Sequence, residues 1–178
     1  MDVFIEQIIK RKITGKDKLI MLLLLLAAAV LSFLAITLLP AVAPMLSTIS
    51  IFVVAGLFYG AWRIITNYYV EFEYAITNGD ITVDKIIYRR KRKRVVSVDA
   101  KEVEAMGKYN AAEHQHREYG KRLIAAKDPN DAENSWYITF HNQEFGNTIL
   151  VFTPDERTLG AIKPFLKRQV SIDAFGRH

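Results

Sequence analysis

The sequence predicts an α+β protein: an N-terminal transmembrane helical hairpin, then an antiparallel β-barrel of about seven strands with a C-terminal helix. Three observations predict it. No charged residue occurs between Lys18 and Arg63, whereas charges are dense after Val70. From Val70 apolar residues alternate with polar ones, and the pattern recurs between turn signals as far as Phe152. After Thr153 the period lengthens, with Leu159, Ile162, Phe165, Leu166 and Val170 forming an apolar stripe.

The chain has 178 residues and a formal net charge of +5, enough for one modest domain with an appendage. Cysteine is absent, which excludes disulfides, thiolate catalysis and thiolate metal ligation.

The first apolar run, 19–39, is unbroken; at ~1.5 Å per residue it spans a hydrocarbon core of roughly 30 Å. "PAVAP" at 40–44 breaks it, and a second run follows over 45–65. The short link makes the two helices antiparallel neighbours. The alternative is a cleaved signal peptide with "AVA" at 41–43 as its site. Against it, the apolar run exceeds the usual core of about 7–15 residues, and Pro44 follows the cut. Lys10, Arg11, Lys12, Lys16 and Lys18 precede the first helix, and the loop has no basic residue. The positive-inside rule therefore places both termini and the soluble domain in the cytoplasm of a multi-pass cell-membrane protein. Gly56 and Gly60 form a G-x-x-x-G, suited to packing on Ala27, Ala28, Ala29 or Ser32, or to homo-oligomerisation through the helices. Neither helix carries an intramembrane charge, which argues against transport or a proton relay.

Upstream, residues 1–15 read as an amphipathic helix. Phe4, Ile5, Ile8, Ile9 and Ile13 share a face, Asp2 is its cap and Gly15 its end. It lies either on the inner membrane surface or on the soluble domain. The hairpin then occupies 16–69, the soluble domain 70–170, and a flexible tail 171–178.

Within the soluble domain "VEFEYAIT" is a half-buried strand, and "NGD" at 78–80 is a tight turn into "ITVDKIIY". "VVSVD", "EVEAMGKY" and "KRLIAA" continue the series, and "SWYITFHN" and "NTILVFT" form a last hairpin around "QEFG". Thr153, Pro154 and Glu156 mark the start of a helix, which Pro164 kinks or ends.

"FIEQIIKRK", "YAITNGDITVDKI" and "KRKR" at 91–94, behind a two-helix hairpin, carry a resemblance over most of the chain. The sequence resembles an uncharacterised Gram-positive bacterial family of two-pass membrane proteins with a pleckstrin-homology-like (PH-like) domain. The resemblance implies a membrane-anchored PH-like barrel and no transferable catalytic residues.

The most concentrated chemistry is Arg89, Arg90, Lys91, Arg92, Lys93 and Arg94. From Arg63 onward there are nineteen Lys/Arg and sixteen Asp/Glu, so without these six the segment is mildly acidic. In mid-sheet, alternation would bury one half of the run without partners, which is costly. The run therefore belongs to a hairpin end or to strand ends beyond the core. It is either a solvated hairpin balanced by Glu71, Glu73, Asp84 and Glu102, or a contact for anionic lipid headgroups or an acidic protein partner. Nucleic-acid binding would need stacking aromatics or a reading helix, and only Tyr88 adjoins.

His114 and His116, beside Glu113, form an H-x-H in the 110–130 loop that on a strand would share one face. A metal-dependent enzyme or metal site there is the rival reading, and a structural subunit of a larger membrane complex is another. No nucleotide-binding, zinc-protease or hydrolase motif occurs. The expectation is a binding or scaffold module, not an enzyme, with no catalytic, cofactor or metal residues.

Overall fold

The computed structural model describes residues 3–128, 131 and 133–176. The chain divides into two compact units, Ile13–Tyr69 and a second made of Met1–Lys12 with Val70–His178.

The first unit is the apolar hairpin. Thr14 and Asp17 cap each other reciprocally, the Thr14 hydroxyl accepting from the Asp17 N–H and the Asp17 carboxylate from the Thr14 N–H. Gly15 thus opens a helix, Gly15–Val42 (α1), rather than closing one. Pro40 sits in its last turn without ending it, and the break comes at Ala43, which is extended. A 3-10 turn, Pro44–Leu46, leads to the helix Ser47–Thr66 (α2). Both segments are long and apolar enough to cross a membrane, and most of their large side chains are exposed. Ala28, Ser32, Ser50 and Ala61 are the small residues buried in this unit's helices.

The second unit holds two four-stranded sheets rather than one closed barrel. The first sheet runs in the order Phe4–Lys10 (β1), Val70–Thr77 (β2), Asp80–Ile87 (β3) and Lys91–Asp99 (β4), all antiparallel. The amphipathic helix expected over 1–15 is therefore a strand. Ile5 pairs with Ile76 and Ile9 with Phe72, so Ile5, Gln7 and Ile9 turn inward while Phe4, Glu6, Ile8 and Lys10 are exposed. Gln7 fastens this edge: its carbonyl accepts from the Asp155 N–H (2.9 Å) and the Thr158 hydroxyl (2.8 Å). The domain boundary moves accordingly. The apolar hairpin is spliced between two neighbouring strands of one sheet. Asp2, expected to cap a helix, lies outside the described residues.

The second sheet comprises Val103–Lys108 (β5), Lys121–Ile124 (β6), Trp136–Asn142 (β7) and Gly146–Phe152 (β8), in the order β5-β7-β8-β6. β6 runs parallel to β8, so the sheet is not purely antiparallel. Tyr74 ties the two sheets together: its buried hydroxyl donates to the Ala125 carbonyl (2.6 Å) and accepts from the Thr153 N–H (3.0 Å). Burial pushes its pKa up. Around it lie Ile76, Val83, Ile138, Phe140, Leu150 and Phe152.

Asp155, not Thr153, caps the next helix, Glu156–Ile162, accepting from the Thr158 N–H at 2.7 Å. Pro164 lies in the 3-10 turn that ends it, as the sequence predicts. A further helix, Arg168–Phe175, replaces most of the expected flexible tail; Val170 is buried and Phe175 stacks on Trp136 with centroids 5.4 Å apart.

Candidate functional site: a basic turn

A short helix between β5 and β6, Ala111–Gln115, is α3 in chain order; Glu156–Ile162 is α4 and Arg168–Phe175 is α5. The basic run joins β3 to β4. Tyr88 and Arg89 occupy the turn, with φ of 47° and 54°, and the Arg90 N–H closes it on the Ile87 carbonyl at 3.0 Å. Tyr88 and Arg89 are thus the two central, left-handed residues of the four-residue turn Ile87–Arg90, positions normally held by Asn and Gly, within a three-residue link between the strands. Lys91–Arg94 lie within β4 itself, all exposed, opposite Ile87, Ile86, Lys85 and Asp84. The run therefore combines a hairpin tip with strand ends that project beyond the core.

Alternation splits the run into two sets. On the outer face Arg94 binds Asp84 (2.6 Å) and Arg92 binds Glu73 (2.5 Å); at the turn Arg89 reaches Glu71 at 3.5 Å. Asp84 and Glu73 are only 5% and 6% exposed, so these arginines answer carboxylates already removed from water. Burial raises the Glu73 pKa, against the pull of Arg92, and the Glu6 and Asp84 charges add to the rise. Of the four acids expected to balance the run, Glu71, Glu73 and Asp84 do so; Glu102 makes no ion pair with it among the described residues.

Lys91 and Lys93 point to the other face. Lys93 stands directly across from Lys85, a like-charge pair that is unfavourable without an anion between or beside it. Among the described residues, none of these three lysines has a carboxylate partner. Arg90 lies over the Tyr88 ring, 5.3 Å from its centroid. Ile8, Ile86, Lys10, Glu71, Arg90 and Arg92 help line an open groove of about 520 Å³ beside the turn. No feature of the sequence tied Lys85, Lys10 or Ile8 to the basic run; their place beside it depends on register with distant strands.

The register also fixes where the turn lies. Lys10 pairs with Glu71, and Val70 with Ile87, which faces Lys91. The chain leaves and re-enters this sheet at the same end as the basic turn.

The other expected residues fare differently. His114 lies within α3 and His116 is its C-cap, so the helical turn sends the two rings in different directions. His114 is 1% exposed, its Nδ1 2.7 Å from the Tyr119 hydroxyl, its ring stacked on Tyr109 and edge-on to Tyr137. Burial lowers its pKa, helped by Arg117 and Arg122 and opposed by Glu113. His116 is exposed, so the pair does not converge on an ion. Gly56 and Gly60 border a groove of about 440 Å³ with Ala27 and Ala28, and a β-carbon at either glycine would touch nothing. The close backbone approach that these glycines permit is not made within the hairpin.

A family model described as "Bacterial PH-like domain (DUF6106)" matches residues 1–172. The chain belongs to this bacterial PH-like domain family, and the match includes β1, the apolar hairpin and both sheets. No curated protein and no solved structure matches it.

Proposed function

We propose that this member of the bacterial PH-like domain family is a two-pass membrane protein with a cytoplasmic binding module, and that its basic turn engages anionic lipid headgroups of the leaflet to which it is tethered. The observation that carries this reading is the unmatched lysine group, Lys85, Lys91 and Lys93, at the end of the sheet where the chain joins the apolar helices. Asn67, Tyr68 and Tyr69 alone separate α2 from β2, and Arg11–Thr14 separate β1 from α1. At no more than ~3.3–3.6 Å per residue, two such short links limit how far the lysine group can range from the membrane. Each basic residue near an anionic surface contributes ~1 kcal/mol, so three lysines orient the module without deep insertion.

The membership fits a binding or scaffold role, and the site has no nucleophile beside a base. The test is lysine footprinting of the full chain in nanodiscs of neutral or anionic lipid. Acylation of Lys85, Lys91 and Lys93 is expected to slow several-fold in anionic discs, and the protection to fade with salt, since screening acts over ~10 Å at 0.1 M. Lys163 and Lys167, remote in sequence from the turn, serve as controls. Equal rates for the three lysines in both discs would refute headgroup contact.

A further inference from the structure

β5 is an edge strand. Among the described residues it bonds to β7 on one side and to no strand on the other. α5 packs against β5, and residues of β5, β7 and α5, with Glu113 of α3, line a groove of about 650 Å³ beside the strand. Met106, Trp136, Leu159, Val170, Ala174 and Phe175 give it an apolar floor. Gly107 lies in the strand, and a β-carbon there would come within 3.3 Å of the Tyr137 ring.

The rim is acidic. Glu104, Glu113 and Asp173 border the groove. Glu113 accepts from the Asn110 side chain and Asp173 from Gln169, but none of the three is in an ion pair among the described residues. The one basic residue lining the groove, Lys108, is engaged internally: it donates to the Glu133 carbonyl and lies over the Trp136 ring, 5.0 Å from its centroid.

An unpaired row of backbone donors and acceptors selects an extended chain. An apolar floor selects apolar side chains, and three unanswered carboxylates select cations. We propose that this groove binds an extended peptide segment with alternating basic and apolar residues, which adds to β5 as a fifth strand of the second sheet. Its backbone pairs with the free edge of β5, its apolar side chains cover Trp136 and Phe175, and its Lys or Arg groups meet Glu104, Glu113 and Asp173. This site is separate from the basic turn, and it prefers a partner of opposite charge.

Trp136 reports on the groove. The chain has two tryptophans, so Trp62→Phe leaves it as the sole emitter. The experiment titrates this full chain, in uncharged detergent micelles at low salt, with an octapeptide of alternating Lys and Val and with its Glu-Val counterpart. The Lys-Val peptide is expected to give a saturable change in Trp136 emission, and the Glu-Val peptide none. Glu104→Lys with Asp173→Lys is expected to weaken Lys-Val binding at least tenfold. Methylating every second peptide nitrogen is expected to abolish binding in one phase and to spare it in the other, because only alternate N–H groups face β5. Absence of a saturable response, an unchanged response in the charge-reversed chain, or equal effects of the two methylation phases would each overturn the proposal. A Trp136 signal that varies with protein concentration without peptide would also overturn it, assigning the groove to a second copy.

Discussion

Both ends of β3 turn through two consecutive left-handed residues, but different ones. At one end Asn78 and Gly79, with φ of 50° and 97°, link β2 to β3; at the other Tyr88 and Arg89 link β3 to β4. The first end is fastened. Asn78 exchanges hydrogen bonds with Val3, the Gly79 carbonyl accepts from the Ala100 N–H, and the Phe165 side chain lies over Gly79. The second end projects: the Arg89 side chain is 76% exposed. A left-handed backbone costs a non-glycine residue about 1–2 kcal/mol, whereas glycine adopts it without penalty. The Asn-Gly turn thus serves folding. The Tyr-Arg turn carries this cost and presents a bulky aromatic and a cation at the end where the chain leaves and re-enters the sheet.

Removing β1, which closes one side of the first sheet, is expected to do the most damage. A chain beginning at Val70 loses β1, with Ile5, Ile9 and the Gln7 hydrogen bonds, and is expected to show no cooperative thermal transition by circular dichroism. Replacing 13–69 with a Gly-Asn-Gly loop keeps β1 beside β2, and that chain is expected to melt cooperatively. Next comes Gly79→Val. A β-branched residue at positive φ, with its β-carbon 3.0 Å from Phe165, is expected to lower stability by about 2–3 kcal/mol in denaturant titration of the looped domain. The opposite sign is expected at the other turn: Tyr88→Asn with Arg89→Gly relieves the strain and raises stability by about 1 kcal/mol, net of the exposed Arg89–Glu71 pair.

The smallest effect is a pH dependence. The Glu73 pKa is raised in the folded chain, so folding favours its protonated form, and the associated stability is lost as pH rises through that raised value. Removing the opposing pull of Arg92 raises it further. Arg92→Gln is therefore expected to destabilise at neutral pH, with a penalty that shrinks on acidification towards the carboxylate range, where neutral Glu73 needs no cation. A penalty independent of pH in thermal melts would mean that Arg92 acts through packing alone.

What the sequence made legible was local. Strict alternation from Val70 to Thr77, the Asn-Gly turn and Pro164 each leave a signature within a few residues, and the structure places β2, β3 and the helix break there. β1 was not legible, because Phe4, Ile5, Ile8 and Ile9 fit a helical face as well as a strand, and its partner lies beyond the apolar hairpin. Register then decides the site. Nothing local shows that Lys85 faces Lys93, or that Arg92 and Arg94 answer buried acids while Lys91 and Lys93 do not. The H-x-H was misleading for a related reason: alternation brings residues together on a strand and separates them on α3. The β5 groove was hidden because its wall, α5, has only a short apolar stripe and read as a tail.

On the proposed function, the Tyr88–Arg89 end of β3 meets lipid and the Asn78–Gly79 end does not. The protein has no cysteine, so Tyr88→Cys and Asp80→Cys each offer one site for a fluorescent label in the full chain. In nanodiscs containing anionic lipid, with nitroxide carried on a fraction of the headgroups, the label at 88 is expected to be strongly quenched and the label at 80 hardly at all. In wholly uncharged discs, and at high salt, the quenching at 88 is expected to fall. Equal quenching at the two positions, or stronger quenching at 80, would contradict the account.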